Sequence, residues 1–103
     1  MTKDEAIQRL NEVFGATARK HKIFIITKKV SASGMSREME IYVFDKKAND
    51  MRWITPVVAS ACGYKMTRDG DRMRVDGCGM NMHFAVAYDL SQTLGKKIEY
   101  QSL

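Results

Sequence analysis

The sequence predicts an α+β fold: an antiparallel sheet of four to five strands with helices packed on it, in the order αβββαββα. Three observations carry this. Residues 2 to 20 repeat their apolar positions with a helical period, residues 23 to 45 hold two β-branched, alternating runs, and Asp69-Gly70 sits between two further short runs as a hairpin turn. Helices set against antiparallel hairpins make one layered domain, here spanning 1–103. The chain's 103 residues suffice for one core.

The first helix is expected from Thr2 to about Lys20. Thr2-Lys3-Asp4-Glu5 matches a capping box, and Ile7, Leu10, Val13, Phe14 and Ala18 follow the 3.6-residue period. The face through Ile7, Leu10 and Phe14 should bury against the sheet, with Gly15 weakening the helix locally. Ile23 to Val30 reads as a strand rich in β-branched residues, and Glu38 to Asp45 as its antiparallel partner. In the second strand Met39, Ile41 and Val43 alternate with Glu40, Tyr42 and Phe44. Lys46 to Asp50 is a polar turn and Met51 to Ile54 a short third strand.

Thr55-Pro56 opens a short helix, with Thr55 as N-cap and Pro at the first helical position. Val57, Val58, Ala61 and Cys62 supply its apolar face, and Gly63 ends it. Tyr64 to Arg68 and Asp71 to Val75 flank the Asp69-Gly70 turn. Asn81 to about Leu94 is the last helix, stopped by Gly95. Beyond it, Ile98 and Tyr100 allow a short strand or a loose tail. Trp53, Tyr42, Phe44, Tyr64, Phe84 and Tyr88 are mostly core candidates.

Hydrophobic residues make up 45% and charged residues 28%, a globular balance. No apolar run reaches membrane-spanning length, and the polar start Met1-Thr2-Lys3-Asp4-Glu5 lacks a signal-peptide pattern. A cytoplasmic protein is expected. Cys62 and Cys78 lie sixteen residues apart and make no CxxC, so two buried or half-buried thiols are expected rather than a disulfide. The net charge of +5 is compatible with an anionic partner, but the lysines are scattered as pairs such as Lys28/Lys29 and Lys46/Lys47.

Two glycine-methionine loops carry the functional signal. Ser31-Ala32-Ser33-Gly34-Met35-Ser36-Arg37 offers hydroxyls, a glycine and a guanidinium suited to a phosphate or carboxylate. Val75-Asp76-Gly77-Cys78-Gly79-Met80-Asn81-Met82-His83-Phe84 is a glycine-rich turn entering a helix, where free N–H groups favour anions. The ligand-binding candidates are Ser31, Ser33, Gly34, Met35, Ser36, Arg37, Gly77, Cys78, Gly79, Met80 and Asn81. Met35, Met80 and Met82 would form an adaptable apolar wall. Glycines of this kind also serve purely structural turns, and Arg37 in a hairpin loop also serves as a solvated residue. The GxG spacing lacks the third glycine of a dinucleotide fingerprint and the lysine of a P-loop.

No catalytic residue, resident cofactor or metal is assigned. Cys78 with His83 is a weak nucleophile pair, and Cys78, His83, Cys62 and His21 match no familiar zinc spacing.

Val30 to Arg37 and Val75 to Phe84 resemble a family of small bacteriophage and prophage proteins with an SxSGMSR segment and a later GCGMDM segment entering a final helix. Val86-Ala87-Tyr88-Asp89-Leu90 matches that helix's apolar-Tyr-x-Leu pattern. Ile54-Thr55, Val57, Val58, Ala59 and Gly63-Tyr64-Lys65 resemble its middle helix. The resemblance covers about residues 23 to 94 and departs at Asn81, where the family typically has Asp. It implies an accessory role during infection inside the host cell. Small phage proteins of this size often counter host defence by sequestering a nucleotide signal or by blocking a defence enzyme. The expected function is capture of a small anionic, nucleotide-type ligand by the two loops, possible also across a homo-oligomer interface. The alternative is a basic inhibitor that binds a host defence protein or nucleic acid, with a steep salt dependence.

Overall fold

A computed structural model describes residues 3–15, 22–31, 36–45, 47–48, 50–76, 88, 91–92, 95 and 97–102. The chain runs α1 (Lys3–Phe14), β1 (Lys22–Lys29), β2 (Arg37–Asp45), β3 (Asp50–Trp53), α2 (Thr55–Cys62), β4 (Lys65–Met66), β5 (Met73–Val75) and β6 (Lys97–Ser102). The α+β class is as expected, with a mixed sheet of six strands in place of an antiparallel sheet of four or five. The sheet order is β4-β5-β2-β1-β6, and β3 also pairs with β2.

β2 is long enough to serve both β5 and β3. Its first residues pair antiparallel with β5 (Arg37↔Val75, Met39↔Met73), and its last with β3 (Tyr42↔Trp53, Asp45↔Asp50). On its other side it pairs antiparallel with β1, from Ile23↔Val43 to Lys29↔Arg37. The C-terminal segment is a true strand: β6 adds parallel to β1, with Ile23↔Ile98 and Thr27↔Ser102. A parallel partner needs a crossover connection, so local sequence could not set its direction.

Alternation along the strands feeds two cores. Ile23, Ile25, Met39, Ile41, Met73 and Val75 meet Val58 and Ala59 of α2 on one face. Phe24, Ile26, Tyr42 and Met51 meet Leu10 of α1 on the other. The α1 face through Ile7, Leu10 and Phe14 packs as expected, and Phe14 meets Phe24 edge-on with ring centroids 5.3 Å apart.

Several local expectations shift. α1 stops at Phe14, because Gly15 adopts φ +74° and its N–H bonds Asn11 O at 2.9 Å. Gly15 is therefore a terminator rather than a weak point within a longer helix. Thr2 and residues 16–20 lie outside the described residues.

Ile54, not Thr55, is the N-cap of α2, and its side chain makes no capping bond. The fully buried Thr55 hydroxyl instead accepts from Ile41 N (2.8 Å) and donates to Ile41 O (3.2 Å), fastening α2 to β2. This fixes the helix's rotation. Thr55, Val58 and Ala59 face inward, while Val57, Ala61 and Cys62 are exposed. A short helix that is apolar on all sides does not reveal its buried face by period alone. Cys62 is thus an exposed thiol, and Cys78 lies outside the described residues.

Thr55→Val should cost about 1–3 kcal/mol, because Ile41 N–H would be left buried without its acceptor. Urea unfolding measures this. A loss below about 0.5 kcal/mol would place the strand-to-helix anchor elsewhere.

The β4–β5 hairpin forms at the expected turn: Gly70 takes φ +73° and its N–H bonds Thr67 O at 2.8 Å. Within the expected last helix, Tyr88, Ser91 and Gln92 are described and helical, and Gly95 takes φ +62° beyond them. Tyr88 is 60% exposed and does not join the core. Among the described residues no helix is long and apolar enough to cross a membrane.

Candidate functional site

The β2–β5 register decides where the two loops begin. Because Arg37 pairs with Val75, the preceding Ser36 and the following Asp76 leave the sheet side by side. The Ser36 side chain lies close enough to the Asp76 carboxylate to favour its charged form. Arg74 Nε also contacts that carboxylate, at 2.9 and 3.0 Å. Arg74 first and Ser36 second hold the Asp76 carboxyl below its ordinary range.

The first loop closes on itself at its base. Val30 N donates to Ser36 O (2.9 Å) and Ser36 N to Ser31 Oγ (3.1 Å). The bases of the two sequence-predicted loops therefore leave the sheet next to each other.

Arg37 is not a solvated loop residue. It lies on β2, is 9% exposed, and its Nη1 donates to Thr27 Oγ1 at 3.2 Å. Strand alternation sets Arg37 and Thr27 on the side of Met39 and Ile25, at the end of the α2-side core. The buried guanidinium is held there by β1, at the end of the sheet from which the first loop leaves. Of the predicted site residues, Ser31, Ser36 and Arg37 are described and lie together. Ser33, Gly34, Met35, Gly77, Cys78, Gly79, Met80 and Asn81 lie outside the described residues, as do Met82, His83 and His21. Among the described residues no group of three His, Cys, Asp or Glu side chains could hold a metal ion.

A second feature escaped the sequence reading. On the opposite side of the sheet, α1 leaves a cleft of about 350 Å³ against β1, β2 and Arg72. Glu40 is among the residues lining it and is 4% exposed. Its Oε1 pairs with Arg9 of α1, and its Oε2 accepts from Tyr42 OH at 3.3 Å. Arg9 Nη1 also reaches Asp71 Oδ2 at 2.9 Å, tying α1 to the β4–β5 hairpin. Arg72 pairs with Glu38 (3.2 Å) and Asp71 (3.2 Å). Comparison of the chain with family models, curated proteins and solved structures gives no match. The site therefore rests on its own geometry.

The available signal for Glu40 was its strand face. It shares that face with Tyr42 and Phe44, so a helix covering the aromatics must also cover the carboxylate, and Arg9 adjoins the buried Leu10.

Burial raises the Glu40 carboxyl above its ordinary value, against the pull of Arg9. Burial and then the Glu40 charge push the Tyr42 phenol strongly upward. Asp71 moves the other way: burial opposes its ionisation, but Arg72, Arg9 and Thr67 together lower it.

The two carboxylates bias stability in opposite directions. Native Glu40 binds its proton more tightly than an unfolded Glu near 4.5, so its contribution weakens as pH rises from there through the raised native value. Asp71 contributes above 3.8, and its contribution is lost as pH falls through its lowered value. Urea unfolding from about pH 4 to about pH 7 should show a smaller decline, or a steeper rise, in Glu40→Gln than in the wild type. Parallel profiles would mean that Glu40 titrates natively as it does unfolded.

Proposed function

We propose that the chain binds a small anionic ligand of nucleotide type where the Ser31–Arg37 and Asp76–Phe84 loops leave the sheet. Through that capture it serves as a phage accessory protein against host defence. The observation that supports this most directly is the Arg37↔Val75 register, which sets Ser36 beside Asp76. It brings together two sequence-distant segments with the same composition of small polar residues around Gly-Met.

Chemistry at this end of the sheet suits an anion. Arg37 supplies a preorganised cation where the first loop leaves the sheet, and Lys28, Lys29 and Arg74 lie on the adjoining strand ends. Backbone amides of the glycine-rich segment would complete the cradle. The Asp76 charge is offset by Arg74, so it orders the loop base without dominating the field. The reading needs sequestration only, with no acid–base pair. The phage role rests on the resemblance of the two loop segments to that family.

Calorimetric titration with inorganic pyrophosphate and a panel of linear and cyclic nucleotides tests this. Saturable binding to one or more of them is expected. Absence of heat across the panel removes the anion-capture reading, and a gel shift that collapses with salt but ignores loop substitutions would favour the basic-surface alternative.

A further inference from the structure

We infer that α1 is a pH-responsive lid on the sheet, latched through Arg9 and eased open as Glu40 gains its charge. The inference is independent of the loop end of the sheet and of any ligand there.

Apolar burial holds α1 down lightly. Among the described side chains of α1, Leu10 alone is fully buried, and Ile7, Val13 and Phe14 are half-buried. Local openings are drawn from elements with few buried apolar contacts.

Two polar groups beneath the helix oppose docking. Glu40 is almost wholly buried, and its cationic partner is shared: the Arg9 Nη1 that pairs with Glu40 also reaches Asp71 Oδ2 at 2.9 Å. A single guanidinium does not neutralise two carboxylates. The other charges around Glu40 leave the imbalance in place. Arg72, from the hairpin, is engaged by Glu38 and Asp71. Tyr42, on the same strand, offers a neutral hydroxyl. Lys28 and Lys29 of β1 and Glu12 of α1 line the cleft but are exposed, where water screens them.

Trp53 is the second such group. It packs on the same cluster from β3, which lies against α1. Among the described residues its buried Nε1–H has no acceptor. Lifting α1 gives water to both the indole N–H and the carboxylate.

The pH direction follows from the two states. With α1 docked, burial keeps the Glu40 carboxyl above its ordinary value against the pull of Arg9. With α1 lifted, hydration returns it toward 4.5. The docked state binds the proton more tightly, so docking is firmest below 4.5 and weakens as pH rises through the raised value. Asp71 acts in the opposite sense, but only as pH falls below 3.8. Burial and then the Glu40 charge keep the Tyr42 phenol protonated throughout.

Trp53 is the chain's one tryptophan, so its fluorescence reads the lid. In the full wild-type chain, acrylamide quenching of Trp53 should rise between about pH 5 and about pH 8. Over the same range the Leu10 and Val13 amides, corrected for the intrinsic pH dependence of exchange, should exchange roughly 3- to 10-fold faster. The Ile25 and Ile41 amides should keep their protection. Glu40→Gln cannot ionise and should hold the slow, weakly quenched level throughout. Arg9→Met removes the latch and should show a larger rise than the wild type. A flat wild-type profile overturns the lid. So does an equal rise in Glu40→Gln, which would assign it to groups present in both proteins, such as His21 and His83. Loss of protection at Ile25 and Ile41 in step with α1 overturns it as well, since the opening is then global. Where Glu40→Gln does not fold, an unchanged rise in Arg9→Met has the same force.

Discussion

Phe24→Ala should destabilise the protein by about 3–5 kcal/mol, a large share of what a domain of this size possesses. Phe24 is 1% exposed on β1 and is a principal contact between the sheet and α1. Its ring meets Phe14 edge-on and lies in one cluster with Leu10, Ile26, Tyr42 and Met51. Among the described residues that cluster joins α1 to one face of the sheet, whose strands are fixed by their pairing and cannot readily collapse into the space left behind. The spread of large-to-small costs at fixed chemistry reflects how far such collapse is possible.

Losing this contact should also loosen the Arg9–Glu40 and Arg9–Asp71 pairs, which depend on α1 staying docked. Denaturant unfolding followed by far-UV circular dichroism gives the number. Phe24→Leu keeps most of the volume and should recover most of the loss. A cost under about 1 kcal/mol for the alanine variant would show that α1 contributes little to the cooperative fold.

The second large effect concerns Arg37. Arg37→Ala should weaken binding of an anionic ligand by roughly 10- to 100-fold, the worth of a hydrogen bond to a charged group. Arg37→Lys should fall between the two, since it keeps the charge and loses the planar fork. Because Arg37 is buried beside Thr27, each variant's unfolding midpoint must be measured in parallel. A loss of affinity at an unchanged midpoint assigns the guanidinium to the ligand. Undiminished affinity in Arg37→Ala would remove it from the site and leave it a structural bridge between β1 and β2.

Elements with a strong local signal were legible. The β1–β2 pair, the turn at Asp69-Gly70, the Pro-initiated and Gly-terminated α2, and the core role of Leu10 all rest on interactions within a few residues. α2's buried side was not, because the Thr55 hydroxyl grips Ile41, fourteen positions earlier in the chain. Tyr88 shows the converse: an aromatic in an apolar pattern is no guarantee of burial once the helix's packing partner is unknown. Of the candidate site, Arg37 could be singled out by residue type, but its burial could not, since an arginine at a loop's edge suggests solvent.

Glu40 is the instructive case. Its alternation with Met39 and Ile41 puts it on the face of Tyr42 and Phe44, and its fate depends on what covers that face. This sheet is covered on both faces. Once α1 occupies the second face, a carboxylate four residues from the loop becomes a buried acceptor held by Arg9 and Tyr42.

The sequence by itself determined the local elements, the turn positions and the kinship in composition of the two Gly-Met loops. These follow from dihedral preferences and hydrophobic period, which act over a handful of residues. Only the tertiary structure decided that β6 adds in parallel, that both faces of the sheet are packed, and that Ser36 and Asp76 leave the sheet side by side. Each of these depends on pairing register across dozens of intervening residues. A one-residue slip would turn every side chain to the other face and part the loop bases, so the proposed site depends on that register.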